Sequence, residues 1–179
     1  MTAETLTKVL VSTEEGEFLL GIDEKNAPIT AANFLAYVDG GHLVDSSVYR
    51  IVTMQNQPAD LEHKIEVVQW GWRPSEDKPE PPFPPIPHEP TSKTGLSHVD
   101  GTLSMARWEP GTAGPGFFVC LGDQPELNEG GRRNPDRAGF AAFGRLLDGK
   151  DTLLRLFARA EDGDYLTKPM KVHSAVRVQ

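Results

Sequence analysis

Residues 101–121 read GTLSMARWEPGTAGPGFFVCL, and this alternation of short apolar runs with a Gly- and Pro-rich connection points to the fold class. Gly101–Ala106 and Phe117–Leu121 are strand-length, and neither is long enough for a buried helix. Side chains along a strand alternate between faces, so only one of Phe117 and Phe118 can enter a core. We expect Phe117 inward and Phe118 outward. Working outward, the same pattern recurs at Ser47–Val52, Ile65–Trp70 and Phe140–Leu146. Towards the N-terminus, Lys8–Ser12 and Glu17–Ile22 flank Glu14-Glu15-Gly16 and read as a hairpin. Towards the C-terminus, Val172, Ser174, Val176 and Val178 alternate and read as a closing strand.

Two segments have helical spacing instead. Pro28 suits a first helical turn because it has no N–H to leave unpaired, and Ala31, Phe34, Leu35 and Val38 fall on one face before Gly40-Gly41. Asp151 to Ala160 is the second, with Leu153, Leu154 and Phe157 expected inward. Many strands with only two helices imply a mainly β protein whose sheet closes on itself, because closure removes exposed edges.

Composition excludes several function classes. The 179 residues carry 26 acidic and 18 basic side chains, a formal net charge of −8. That balance argues against a nucleic-acid binder, which needs a basic face, and against docking on anionic lipid. No membrane span is expected, and the N-terminus lacks the pattern of a secretory signal, so a cytoplasmic setting is expected. The lone cysteine, Cys120, cannot form an intrachain disulfide and reads as a small buried hydrophobe. His42, His63, His88, His98 and His173 show no metal spacing, so no metal site is expected. The length suits one domain, residues 1–179.

The segment 78–90, KPEPPFPPIPHEP, holds seven of the fifteen prolines. It reads as an extended loop insertion that cannot enter a sheet interior. Pro79–Pro82 and Pro82–Pro85 fit P-x-x-P, which makes an SH3-like domain a candidate partner. Its place in the chain suggests that the loop shapes one rim of a groove.

Three separated segments, taken together, resemble the cyclophilin-type peptidyl-prolyl cis-trans isomerases. They are Ala27–Leu35 with Val48-Tyr49-Arg50-Ile51-Val52, then Gly101–Arg107, then Phe117-Phe118-Val119 leading through Leu127 to Phe140–Gly149. The resemblance spans about Lys8 to Val178. It implies an eight-stranded antiparallel barrel capped by two α-helices, an outer groove for proline-containing peptides or unfolded proteins, and no cofactor. It also implies that Arg50, Gln69 and Phe118 are catalytic. Leu127, Phe140 and Val67 would line the proline pocket, Ala106 and Arg107 would pair with the peptide backbone, and Gly116 would adjoin the substrate. Several positions depart from the family pattern: Gly116 replaces a glutamine, Glu126 stands where many eukaryotic members have a tryptophan, and Phe140 stands where a histidine or tyrosine is common. These departures keep open a peptide-binding module with weak or no isomerase activity.

The implied chemistry demands little of a protein. Resonance gives the peptide C–N bond a rotational barrier of roughly 18–20 kcal/mol. A hydrogen bond to the prolyl nitrogen withdraws its lone pair from that resonance, and an arginine is a permanently charged donor for it.

Overall fold

The hairpin begins the architecture. In the computed structural model, which describes residues 5–179, β1 (Thr7–Thr13) and β2 (Gly16–Ile22) pair from Thr7↔Ile22 to Thr13↔Gly16. The turn is held by Thr13, whose Oγ1 donates to the Gly16 carbonyl at 2.8 Å and accepts from the Glu15 N–H at 3.1 Å. Gly16 takes φ +123°, a backbone conformation that disfavours side chains.

α1 follows at Pro28–Asp39, with the expected bounds, and buries Ala31, Phe34, Leu35 and Val38. Its N-cap residue, Ala27, has no side chain to satisfy the first N–H groups. Glu89 does so from about sixty residues away, accepting from the Thr30 N–H at 2.7 Å and the Ile29 N–H at 3.3 Å. A carboxylate there also complements the positive end of the helix dipole.

The remaining strands are β3 (Ser46–Val52), β4 (Val67–Gly71), β5 (Thr102–Met105), β6 (Gly116–Cys120), β7 (Ala142–Asp148) and β8 (Tyr165–Val178). They close into an antiparallel barrel in the order β1-β2-β7-β5-β6-β4-β3-β8. Inside it, Trp70 meets Phe18, Phe34 and Phe117 edge-to-face at centroid distances of 6.0, 6.0 and 5.4 Å. Such edge-to-face contacts suit aromatic quadrupoles and fill the interior with rigid rings. Phe117 is fully buried in this core, as alternation requires.

Three details differ from the expectation. A third, four-residue helix, α2 (Thr91–Thr94), ends the proline-rich stretch. The last helix, α3, runs only from Lys150 to Phe157 and buries Leu153 and Leu156, while Leu154 is 47% exposed. Phe157 packs partly buried against the core as expected, and docking on β2 and β4 selects Leu156 in place of Leu154 beside Leu153. Finally, segment 78–90 lines no groove: Phe83 packs against Tyr37 and His42, Ile86 bridges to Ala113, and Glu89 is consumed by α1. It straps the outside of the helix, and its intervening prolines are exposed.

Candidate active site

Three neighbouring strands bring the candidate residues into one row. Arg50 on β3 pairs across from Gln69 on β4, and Gln69 pairs across from Phe118 on β6. All three lie on the outer face of the barrel, because Trp70 and Phe117 take the inner positions. One step along, Val52, Val67 and Cys120 form the next outward row. These residues, with Ile65, Phe118 and Leu127, make a second hydrophobic cluster outside the barrel core, against which Ala106 and Phe140 pack.

A groove of about 410 Å³ opens over this cluster. Arg50, Gln69, Phe118, Val67, Ala106, Arg107, Gly116, Leu127 and Phe140 all line it, so every sequence-derived candidate meets at one place. Phe118 forms its floor, with Phe140 edge-on at 5.7 Å and the His98 ring stacked on it at 6.2 Å. Phe140 lies in the connection before β7, positioned by its N–H donating to the Leu127 carbonyl at 2.9 Å.

Arg50 is held on two sides. Its Nε donates to Asp164 at 2.7 Å and its Nη1 donates to Gln69 Oε1 at 3.0 Å. Asp164 is itself fixed, since its carbonyl accepts from the Ile51 N–H at 2.9 Å. The guanidinium also lies 5.3 Å from the Tyr165 ring centroid. Its Nη2 keeps its donors free of any intramolecular partner among the described residues.

Tyr49 owes its place to a β-bulge. Strict alternation from the outward Arg50 would turn Tyr49 into the core. The register shift between Val48 and Arg50, seen against both β4 and β8, puts both side chains on the outer face. The Tyr49 hydroxyl accepts from Gln69 Nε2 at 3.0 Å, and burial raises its pKa. It also accounts for Gly116. A Cβ on Gly116 would approach the Tyr49 hydroxyl to 2.5 Å, so Tyr49 occupies the space that a side chain at 116 would need.

Arg107 presents little of its side chain, which is 1% exposed. Its guanidinium donates to the Gly139 carbonyl and to Asp136, and lies 4.6 Å from the Phe140 ring centroid. It thus braces the Phe140 wall from behind. Beneath Phe118, His98 is 1% exposed and bonded at 2.8 Å to both Ser104 Oγ and Asn128 Oδ1. Burial drives its pKa down to about 4, so the ring is neutral at ordinary pH. Burial likewise pushes the Cys120 thiol up, away from thiolate chemistry. Among the described residues, no group of three His, Cys, Asp or Glu side chains could hold a metal ion.

Residues 8–177 match the family described as cyclophilin type peptidyl-prolyl cis-trans isomerase/CLD. The chain belongs to this family. Its activity is cis-trans isomerisation of X-Pro peptide bonds. This cyclophilin is 31% identical to peptidyl-prolyl cis-trans isomerase A of Dickeya dadantii over 150 residues, 83% of this chain and 70% of that one. It is 29% identical to peptidyl-prolyl cis-trans isomerase cyp18 of Streptomyces antibioticus over 149 residues, 83% and 81% of the two chains. A crystal structure of a Cryptosporidium parvum cyclophilin-type isomerase superposes with a TM-score of 0.73 at 19% identity, covering 97% of this chain and 98% of that one. A second structure of that isomerase, in the presence of the dipeptide Ala-Pro, gives 0.72 at 20% identity and covers 96% and 99%. The cyclophilin fold is therefore shared along nearly the whole chain.

Sequence reasoning about this cyclophilin missed several groove residues. Tyr49 was hidden by the bulge. Asp164 and Tyr165 stand more than a hundred positions from Arg50 and share no motif with it. Arg133 read as part of a polar loop, yet it lines the groove, as do Arg73, Trp72 and Trp108. Trp108, 82% exposed, offered only its size as a signal.

Among the described residues, no helix is long and apolar enough to cross a membrane.

Proposed function

We propose that the groove seats the ring of a substrate proline over Phe118, between Leu127 and Phe140, with Arg50 donating to the prolyl nitrogen as the bond twists. The observation that carries this reading is the row Arg50–Gln69–Phe118 across β3, β4 and β6, which puts a charged donor beside an apolar floor. The Ala-Pro dipeptide in the structure of the Cryptosporidium isomerase supports a proline-containing ligand.

The division of labour follows from the contacts. Nε and one N–H of Nη1 are given to Asp164 and Gln69, which leaves Nη2, with both its N–H groups unused, as the donor to substrate. Asp164 is a positioning residue: it orients Arg50 without reaching the reacting bond. Gln69 links Arg50 to Tyr49 and fixes the separation between donor and floor. Apolar walls at Val67, Leu127 and Phe140 exclude water, so the charged hydrogen bond acts in a low dielectric. Ala106, Arg107 and Gly116 form the adjoining stretch along which peptide backbone lies. The Ala106 N–H is already given to the Gly116 carbonyl at 3.0 Å, which joins the two sides of that stretch. No nucleophile or metal enters the reaction, because no bond other than the partial C–N π-bond is broken. Peptides and unfolded chains are the substrates, and a reducing cytoplasm fits the buried free thiol of Cys120.

A protease-coupled assay on an X-Pro peptide tests the assignment. A charged hydrogen bond contributes on the order of 1.5–3 kcal/mol, so Arg50→Ala is expected to lower kcat/KM by roughly ten- to a hundredfold. Undetectable turnover by the wild type, or unchanged turnover by the variant, would reject it.

A further inference from the structure

The groove's charge is opposite to that of the chain. The protein carries a formal net charge of −8, yet four arginines and no aspartate or glutamate line the groove: Arg50, Arg73, Arg107 and Arg133. Two of the four are neutralised from behind, Arg50 by Asp164 and Arg107 by Asp136. The other two make no salt bridge among the described residues, although Asp164 acts on Arg133 at longer range.

Arg73 is held in another way. Its guanidinium carbon lies 4.3 Å from the Tyr49 ring centroid and 5.8 Å from that of Tyr165. Tyr49 and Tyr165 stack on each other at 6.3 Å, so the side chain rests on a two-ring platform. The cation lies against the rings and interacts with the Tyr49 hydroxyl, and its remaining N–H groups are left for a planar anion. Arg133 is fastened by neutral acceptors, with its Nη1 donating to Gln57 Oε1 at 2.7 Å and to the His63 carbonyl at 3.2 Å. Burial and the nearby Arg50 charge press its pKa down against the opposing pull of Asp164, so a bound anion would favour its charged form. Glu109, next to Trp108, is exposed but does not line the groove.

We propose that the groove selects substrates carrying an acidic side chain close to the proline, with Arg73 as the principal anion receptor and Arg133 as the second. The proposal rests on the reading of the groove as the peptide site. Long-range repulsion from the acidic surface does not cancel it. The Debye length is about 8 Å at physiological salt, so guanidiniums in contact with the ligand outweigh distant carboxylates. A carboxylate meeting a stacked arginine gains a bidentate, charge-assisted pair.

The test uses peptides of one length and one X-Pro bond, with Glu, Gln or Lys placed within two residues on either side. Amide-shift titration of the wild type reads affinity whether or not turnover occurs, and NMR exchange reads catalysis. At physiological ionic strength the best Glu peptide is expected to bind about five- to tenfold more tightly than its Lys counterpart. Arg73→Glu, at an exposed position, is expected to erase or invert that ranking, and added salt to narrow it. Equal affinity for Glu and Lys peptides, no measurable affinity for any Glu peptide, or an unchanged ranking in Arg73→Glu would overturn the proposal. Preferential binding of Glu peptides without exchange would instead leave this inference standing and reject the assignment of catalysis to the groove.

Discussion

The barrel interior and the outer groove are built from the same strands and face opposite ways. Inside, Phe34, Trp70 and Phe117 interlock edge-to-face and leave no room for a ligand. Outside, Val67, Phe118 and Leu127 are buried just as deeply but are covered on only one side, so a groove remains. The contrast lies between residues one position apart, Phe117 with Phe118 and Val68 with Val67. A closed sheet has two faces to bury. Completing one with aromatic packing lets the other stay incomplete, and that second face is where the proposed function seats the proline.

The largest way to break this contrast is to open the interior. Phe117→Ala should destabilise the fold by about 3–5 kcal/mol in denaturant titration, as expected for a large aromatic removed from a packed core. Phe118→Leu, a smaller volume change on the groove side, should cost far less stability and act mainly on turnover.

Acid should distinguish the layers next. His98 is neutral when folded, with its pKa lowered to about 4, whereas in the unfolded chain it protonates near 6.5. The unfolded state therefore binds the extra proton between these values, and stability falls as the pH drops from about 6.5 to 4. The loss approaches about 3 kcal/mol at one pKa unit per 1.36 kcal/mol. Unfolding curves across this window should show the slope, and His98→Gln should flatten it.

Arg50→Ala sharpens the comparison from the catalytic side. Its ten- to hundredfold loss of turnover, about 1.4–2.8 kcal/mol, should come with an almost unchanged melting temperature. Asp164→Asn is the mildest. It keeps the shape but weakens the clamp on Arg50, so kcat/KM should fall several-fold, by about 1 kcal/mol, mainly through kcat. Asp164→Glu should recover part of the loss. A purely structural Asp164 would instead lower stability and leave kcat unmoved.

How much of this was legible in the sequence depends on the range of each determinant. The Phe117/Phe118 partition follows from alternation, and α1 follows from Pro28 and its 3/4 spacing, both local rules. Arg50, Gln69 and Phe118 stand in short motifs whose order survives in the chain. The remainder depends on distant partners. Asp164 reaches Arg50 from just before β8, and Glu89 caps α1 from the proline-rich strap, with no local pattern announcing either. Leu154 and Leu156 exchange roles because helical periodicity allows both faces and only docking selects one. Tyr49 was concealed by the bulge, which violates the alternation that served so well at Phe117.

The Tyr49–Gly116 contact makes two positions far apart in the chain a single steric unit. Any side chain at 116 would drive its Cβ into the phenol, and shrinking residue 49 alone would leave a gap beside Gln69. A larger residue at 116 is accommodated only together with a smaller one at 49, so the width of the groove at this point is set by the pair and by neither residue alone.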